Sequence, residues 1–276
     1  MAIVLPLFKN KNIIYIYIRM KNFIVVRLGN KQKDIKHFIK YLPNKEDINT
    51  VAEPFAGSFA VIRNIYYDIK NIYCADNDEI YKNRIKLIFS DLEGFKTEKE
   101  NIIKFYKDNN TNLNKTSKTI YIKRDIIKEL SKTLKFHTFD DLYARGIIKI
   151  PTMSFDYYDL KNLYDKIKWF DDYKILFDML KNDDKAFLFI DPPYFQSANK
   201  SYFGNNYRDS ENNIKDNTSV YIDILQFMII AKCKVMLIIN NSEIIKYLFK
   251  DYYKGCYNKT YELSKNKEML NIYTNY

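Results

Sequence analysis

The sequence predicts an α/β protein, a doubly wound parallel sheet carrying a mainly helical insert. Short apolar runs of strand type alternate with segments whose apolar residues recur at helical spacing. Three of the strands end on a small-residue turn or a carboxylate where the next segment begins, as in open sheets that bind ligands at their carboxyl edge. Between about residues 90 and 165 the alternation stops, and a lysine- and asparagine-rich, helix-periodic stretch takes its place.

The elements follow in order. IVLPLF and IIYIYI, within residues 1–20, are each too short to span a bilayer, and charged residues separate them. No small-residue cleavage site follows, so residues 1–20 read as an N-terminal extension, with Met20 as a candidate alternative start. NFIVV at 22–26 is a short strand. Ile35, Phe38, Ile39 and Leu42 then share one helical face until Pro43 and Asn44 close the unit. A second strand near Val51 breaks at Glu53-Pro54-Phe55-Ala56-Gly57-Ser58, and a helix over 58–68 turns Phe59, Ile62 and Ile65 inward. NIYCADND ends a third strand on Asp76, and the helix after it carries Ile80, Ile85, Ile88 and Phe89. The insert, interrupted at NNTNLNKTSK, follows. Regular order resumes with a helix at 171–181, a strand at 186–190, an Asn-rich stretch at 197–217, a helix at 218–231 and a strand at 234–239. The expected domains are therefore a core of 21–89 with 166–276, and an insert of 90–165.

The chain carries a formal net charge of +11, unevenly placed. Residues 1–40 hold +8, 41–100 hold −3, 101–150 hold +6, and 151–276 balance. A localised basic surface suits a polyanion, because each neutralised phosphate releases a counterion; a solvated lysine-rich face is the alternative. With two histidines and three cysteines at no metal-like spacing, a zinc site or a Ser-His-Asp triad lacks its material, and no metal is expected. Cys74 and Cys233 lie in apolar runs, in keeping with a reducing compartment. Lys, Asn, Ile and Tyr dominate, the residues of AT-rich codons, which points to a phage, virus or AT-rich bacterium.

Three strand ends carry the chemistry. In EPFAGS, Gly57 lets backbone approach a ligand and the following helix offers N–H donors. Asp76 lies roughly twenty residues on, where a carboxylate accepts ribose hydroxyls. Taken singly, a glycine turn and an acidic helix cap are ordinary structure; in this order and spacing they favour a nucleoside-containing cofactor. Neither GxGxxG nor GxxxxGK[ST] occurs, so NAD and ATP are poorly supported. After the strand AFLFI, Pro192 and Pro193 stiffen the chain and donate no backbone hydrogen bond. Asp191 and the Pro192 carbonyl can then accept two hydrogens from one amine while Tyr194 offers a ring for stacking. That device holds an exocyclic amine of a nucleobase. An X-Pro-Pro turn with Tyr194 in the core is the plainer reading.

These residues resemble a known family. DPPY at 191–194, FAGS at 55–58 and ADND at 75–78 look like the Dam-type, alpha-group, D12 class DNA N6-adenine methyltransferases. RLGNKQ at 27–32 resembles the N-terminal cofactor motif of phage Dam enzymes, and EMLNIYTNY resembles the family's closing strand. The resemblance implies a Rossmann-like S-adenosylmethionine-dependent methyltransferase sheet with a target-recognition insert before DPPY. Arg27 and Lys31 would flank the methionine end of the cofactor, Phe55 and Gly57 would form its backbone loop, Asp76 would bind the ribose and Asp172 the adenine amine. Asp191, which also borders the cofactor, would act with Pro192, Pro193 and Tyr194 to hold a flipped-out target adenine. Residues 195–216 would form a flap. Lys115, Lys118, Lys123, Arg124 and Arg145 would touch DNA, chiefly its phosphates.

The sequence departs from the pattern at Arg27, where an aromatic is usual, and at Phe59, in place of a second glycine. The insert also lacks a match to the family's DNA-reading loop; YARGIIKIPTM at 143–153 is only loosely similar. The implied activity is adenine-specific DNA methylation with S-adenosyl-L-methionine as cofactor. Duplex DNA is the expected partner, a restriction endonuclease a candidate one, and the cytoplasm of a bacterial host or a viral replication compartment the expected place, with no membrane. Two alternatives stand beside it: a degenerate methyltransferase fold kept as a nucleic-acid-binding or structural protein, and an RNA adenine methyltransferase.

Overall fold

The structure, a computed structural model, describes residues 3–9, 12–18, 31–109, 119–120, 124–136, 148–149, 157–193, 217–260 and 267–276. The chain divides into two compact units. The first contains Arg27–Asn77 and Asn162–Tyr276, and the second contains Asp78–Lys161. The expected strand at 22–26 lies outside the described residues.

The first unit is built on a seven-stranded sheet. Its strands are β3 (Thr50–Glu53), β4 (Asn71–Ala75), β7 (Lys168–Phe170), β8 (Ala186–Ile190), β9 (Lys234–Asn240), β10 (Tyr253–Thr260) and β11 (Lys267–Thr274). They lie in the order β10-β11-β9-β8-β3-β4-β7. The strands from β9 to β7 run parallel, whereas β11 pairs antiparallel with β9 and β10 antiparallel with β11. This is a doubly wound, Rossmann-like sheet with an antiparallel pair at one edge. A separate hairpin pairs β1 (Ile3–Lys9) with β2 (Asn12–Ile18).

Each face of the sheet is covered. On one face Ala52, Ala75, Leu188, Ile190, Leu237 and Ile239 join a single apolar cluster with α6 (Tyr173–Leu180) and α7 (Thr218–Ile230). Side chains alternate along a strand, so Phe187 and Phe189 point the other way. There Phe189 meets Phe38 of α1 (Ile35–Phe38) at 5.4 Å between ring centroids, and Phe187 meets Tyr66 at 5.5 Å. All five residues of β8 are buried, which is why its sequence reads as one unbroken apolar run. Each of its four large side chains, Phe187 to Ile190, contributes roughly 1.5–3 kcal/mol through burial.

Two expected helices take other forms. The segment 34–42 is α1 followed by a 3-10 turn over Ile39–Tyr41, because Leu42 precedes Pro43 and is extended (φ −70°, ψ 143°). The segment 58–68 becomes a π-helical stretch over Ile62–Tyr66. In an α-helix the Ile62 N–H would bond the Ser58 carbonyl. Instead the Glu53 carboxyl takes that N–H at 2.7 Å, and the Arg63 side chain takes the Ser58 carbonyl at 3.0 Å. Phe59, Ile62 and Ile65 are nonetheless buried.

In the second unit, α2 (Glu79–Ser90) begins at Asp78, whose carboxylate caps Tyr81 N–H at 3.0 Å. It is followed by α3 (Leu92–Asn109), the strand pair β5 (Thr119–Ile120) and β6 (Ile148–Lys149), and α4 (Arg124–Lys132). Phe136 anchors this unit: its ring stands edge-on to Phe95 at 5.9 Å, and its carbonyl accepts from the Arg84 guanidinium. The helix α5 (Tyr157–Lys166) leads back to the sheet, and α8 (Glu243–Leu248) joins β9 to β10.

Candidate active site at the carboxyl ends of the parallel strands

The chain runs outward from β3 to β4 and β7, then crosses back to β8 and β9 on the other side of β3. The switch point of the sheet therefore lies between β3 and β8, where ligands bind in open α/β sheets. Four neighbouring strand ends meet there in the order β7, β4, β3, β8, and a carboxyl group stands at each: Asp172, Asp76, Glu53 and Asp191.

At the end of β3 the turn folds back over β4, since Ala56 N–H donates to the Ala75 carbonyl at 2.9 Å. Gly57 takes a left-handed φ of 48°, open to glycine, and its N–H donates to Asp76 Oδ2 at 2.9 Å. Thus the glycine and the acidic strand end singled out in the sequence are directly bonded. Phe59 also has a positive φ, 37°, which costs a bulky residue of order 1 kcal/mol or more. Its fully buried ring is held at 6.0 Å from Trp169 and 6.4 Å from Tyr164. The position where the resemblance has a glycine does use the backbone geometry that glycine favours.

Glu53 is buried, and burial pushes its carboxyl up to about 8. The Ile62 N–H and the Arg63 charge pull it back down, while the Asp191 charge adds to the rise. At neutral pH Glu53 is therefore held mainly as the neutral acid. Arg63, itself fully buried, bonds Gln32 Oε1 at 2.8 Å.

Asp172 caps α6 by accepting the Lys174 N–H at 2.9 Å, and it is exposed. Next to it the Tyr173 ring lies 4.8 Å from Phe55, giving the rim between β3 and β7 an aromatic edge. Tyr173 is anchored in turn by donating its hydroxyl to Asp223 at 2.7 Å.

At the end of β8, Asp191 Oδ1 accepts from the Lys31 ammonium at 2.5 Å. Lys31 is only 3% exposed and Asp191 20%. The resemblance puts Lys31 beside the cofactor's methionine end; the structure joins it to the carboxylate of DPPY. No described residue donates to the other oxygen of Asp191 or to the carbonyl of Pro192, which is buried. The next carbonyl, that of Pro193, is taken by the hydroxyl of Tyr221 from α7.

Of the residues the sequence singled out, Lys31, Phe55, Gly57, Asp76, Asp172, Asp191, Pro192 and Pro193 stand on these strand ends or against them. Arg27, Lys115, Lys118, Lys123, Arg145 and Tyr194 lie outside the described residues, as does the segment 195–216. Arg124 opens α4, with its side chain also outside them. Sequence reasoning missed Tyr221, Arg63, Gln32 and the part played by Glu53. Only the last had a local signal, a glutamate placed between an apolar strand and a proline.

The donor set suits S-adenosylmethionine. Its hydroxyls, amines and sulfonium call for acceptors and negative charge, which Asp76, Asp172 and Asp191 supply beside the Phe55–Tyr173 rim. Among the described residues no three His, Cys, Asp or Glu side chains are grouped to hold a metal ion, and no helix is long and apolar enough to cross a membrane. A surface groove of about 380 Å³ between α8 and the β10–β11 pair, lined by Lys246, Lys250, Tyr253, Met269, Asn271 and Tyr273, includes none of these site residues.

Comparison with known proteins gives a family. The human methyltransferase 10 domain containing protein aligns in structure over 91% of this chain and 84% of its own, at 8% identity and a TM-score of 0.38. No curated protein matches in sequence. The family model for D12 class N6 adenine-specific DNA methyltransferases matches residues 28–269, from just before Lys31 to within β11. With that match, over most of its length, the chain belongs to the D12 class N6 adenine-specific DNA methyltransferases.

Proposed function

We propose that this protein transfers the methyl group of S-adenosylmethionine to the N6 amine of an adenine flipped out of duplex DNA, as a Dam-type, alpha-group, site-specific adenine methyltransferase. The observation that carries the proposal is the end of β8, where two consecutive residues each offer an acceptor without a described donor: the second oxygen of Asp191 and the Pro192 carbonyl. An adenine amine brings two hydrogens to them.

That amine is a poor nucleophile, because its lone pair is conjugated with the ring. Accepting both hydrogens favours the pyramidal nitrogen, whose lone pair is free to attack. Asp191 is then the carboxylate placed to take the proton the nitrogen sheds. Lys31 fixes Asp191 by holding Oδ1, and Tyr221 fixes the arm by holding the Pro193 carbonyl. Tyr194 stacks on the flipped base, which stabilises the extruded state by about 1–3 kcal/mol. Phe55, Gly57, Asp76 and Asp172 hold the cofactor, with Arg27 towards its methionine end. Bound there, S-adenosylmethionine supplies an electrophilic methyl on a sulfonium.

Lys115, Lys118, Lys123, Arg124 and Arg145 meet phosphates, so they contribute affinity that weakens with salt more than sequence choice. The setting that goes with this reading is the cytoplasm of a bacterial host or a viral replication compartment.

The test is methyl transfer from labelled S-adenosylmethionine to unmethylated AT-rich duplex DNA, digested to nucleosides, with structured RNA in parallel. Label in N6-methyladenine from DNA is expected. Label in RNA alone would reassign the substrate. Cofactor and DNA binding without transfer would make the protein a binding subunit instead.

A further inference from the structure

The turn Lys31-Gln32-Lys33-Asp34 has a composition that belongs in water, yet only Lys33 is exposed. Lys31 is 3%, Gln32 7% and Asp34 6% exposed. Each of the three is bonded to a different part of the first unit. Lys31 reaches Asp191 at the end of β8, and Gln32 accepts from Arg63 in the π-helical stretch. Asp34 accepts from the Lys259 ammonium of β10 at 2.7 Å and, at 3.5 Å, from the hydroxyl of Tyr257 on the same strand. The Asp34 N–H bonds the Lys31 carbonyl at 2.9 Å, so the two ends of the turn are tied together.

Such an arrangement is weak evidence for stability. A buried ion pair can often be exchanged for apolar residues at no loss, since desolvation consumes most of the attraction. What it does supply is position. The charges follow one another as Lys259 positive, Asp34 negative, Lys31 positive and Asp191 negative. Two carboxylates therefore neighbour Lys31 along this chain of charges: Asp191, which it bonds, and Asp34, three residues on in its own turn. Lys259 occupies Asp34, which leaves Lys31 for Asp191. The two ammonium groups also feel each other, for Lys259 is held below the usual lysine range first by burial and next by the Lys31 charge.

We propose that Lys259 is a positioning residue for the methyl-transfer site: by engaging Asp34 it keeps Lys31 on Asp191 and so fixes the carboxylate that receives the amine. The inference rests on the methyltransferase reading and adds to it a residue from the far edge of the sheet, on β10. Without the Lys259 charge, Asp34 is a buried carboxylate with no ammonium to match it, and Lys31 turns to it and releases Asp191.

The mechanism makes a prediction that a merely structural role does not: removing the competitor should repair the damage. In Lys259→Met, turnover is expected to fall about tenfold or more, in the range of coupled neighbours. In the double variant Asp34→Asn/Lys259→Met, turnover should return to within roughly threefold of wild type, because Asp34 no longer competes with Asp191 for Lys31. Lys259→Arg should keep activity throughout. Full activity in Lys259→Met, or a double variant no better than the single, overturns the proposal. Should Lys259→Met fail to fold, Lys259→Gln takes its place in the same comparison.

A second readout needs no turnover. The 15N ammonium resonance of Lys31 should shift on Asp191→Asn in the wild-type background and stay unmoved on the same change in Lys259→Met. A wild-type protein that transfers no methyl group would overturn the proposed function, and this resonance would then decide the positioning of Lys31 by itself. An equal shift in both backgrounds shows Lys31 on Asp191 without help from Lys259.

Discussion

The two faces of the seven-stranded sheet are made of different materials. The face under α6 and α7 is apolar through its centre, with Ala52, Leu188, Ile190 and Leu237 packed against Leu176, Phe177 and Ile224. The face under α1 begins in the same way, with Phe187 and Phe189 against Tyr66 and Phe38. It then becomes polar at the carboxyl edge, where Glu53, Arg63, Gln32, Lys31 and Asp191 are gathered. Since alternate residues of one strand serve the two faces, β8 supplies Leu188 and Ile190 to one and Asp191 to the other. The difference teaches a division of labour: one face supplies stability, and the edge of the other exchanges some of it for placed polar groups.

The sharpest way to break that division is Asp191→Ala. Transfer should fall by about 10²–10⁴-fold, the range of a lost acid–base group. Stability should fall as well, by up to about 3–5 kcal/mol, because removing Asp191 alone leaves the buried Lys31 charge unmatched, so transfer is read per folded molecule. A folded fraction that is still fully active would make Asp191 a structural residue. The converse is Leu188→Ala, at the centre of the apolar face and fully buried. It should cost about 2–5 kcal/mol of stability, read by denaturant unfolding, and leave the turnover of folded molecules unchanged.

Glu53 sharpens the comparison through pH. Its carboxyl is raised to about 8 in the fold, against 4.5 for an unperturbed glutamate. Between those values the folded state binds the proton that the unfolded chain has lost. The Glu53 contribution is therefore full below about 4.5 and declines as pH rises to about 8. The slope is up to about 1.4 kcal/mol per pH unit. Glu53→Gln keeps an acceptor for the Ile62 N–H and has no proton to lose, so its stability should lack that decline. Parallel slopes for the two proteins would mean that Glu53 is ionised where it stands.

How much of this was legible follows from where each signal resides. The apolar face is local information: AFLFI, KVMLIIN and the helix-spaced Tyr221, Ile224, Phe227 and Met228 announce burial within a few residues. The strand ends were legible for the same reason, although the bond between Gly57 and Asp76 was not among the expectations. The polar edge was not. Lys31 meets Asp191 across 160 residues and Asp34 meets Lys259 across 225, and nothing near Lys259 marks it as different from the chain's many other lysines. The departure from regular helix after Gly57 was equally hidden, because it depends on Glu53 and Arg63 taking the two groups that one helical bond would have used.

The smallest expected effect comes from the residue that belongs to both faces. The Tyr221 ring is 1% exposed and packs in the apolar cluster, while its hydroxyl donates to the Pro193 carbonyl on the DPPY arm. Tyr221→Phe keeps the ring and removes only the bond, so it should cost about 1 kcal/mol of stability, the worth of one neutral hydrogen bond. If that bond holds the arm in register, turnover should fall several-fold as well, because a carbonyl left without its donor competes with Pro192 for the amine hydrogens. Unchanged turnover at the same stability cost would mean that the two prolines suffice to hold the arm. The apolar face would then support the chemistry only by keeping the sheet folded.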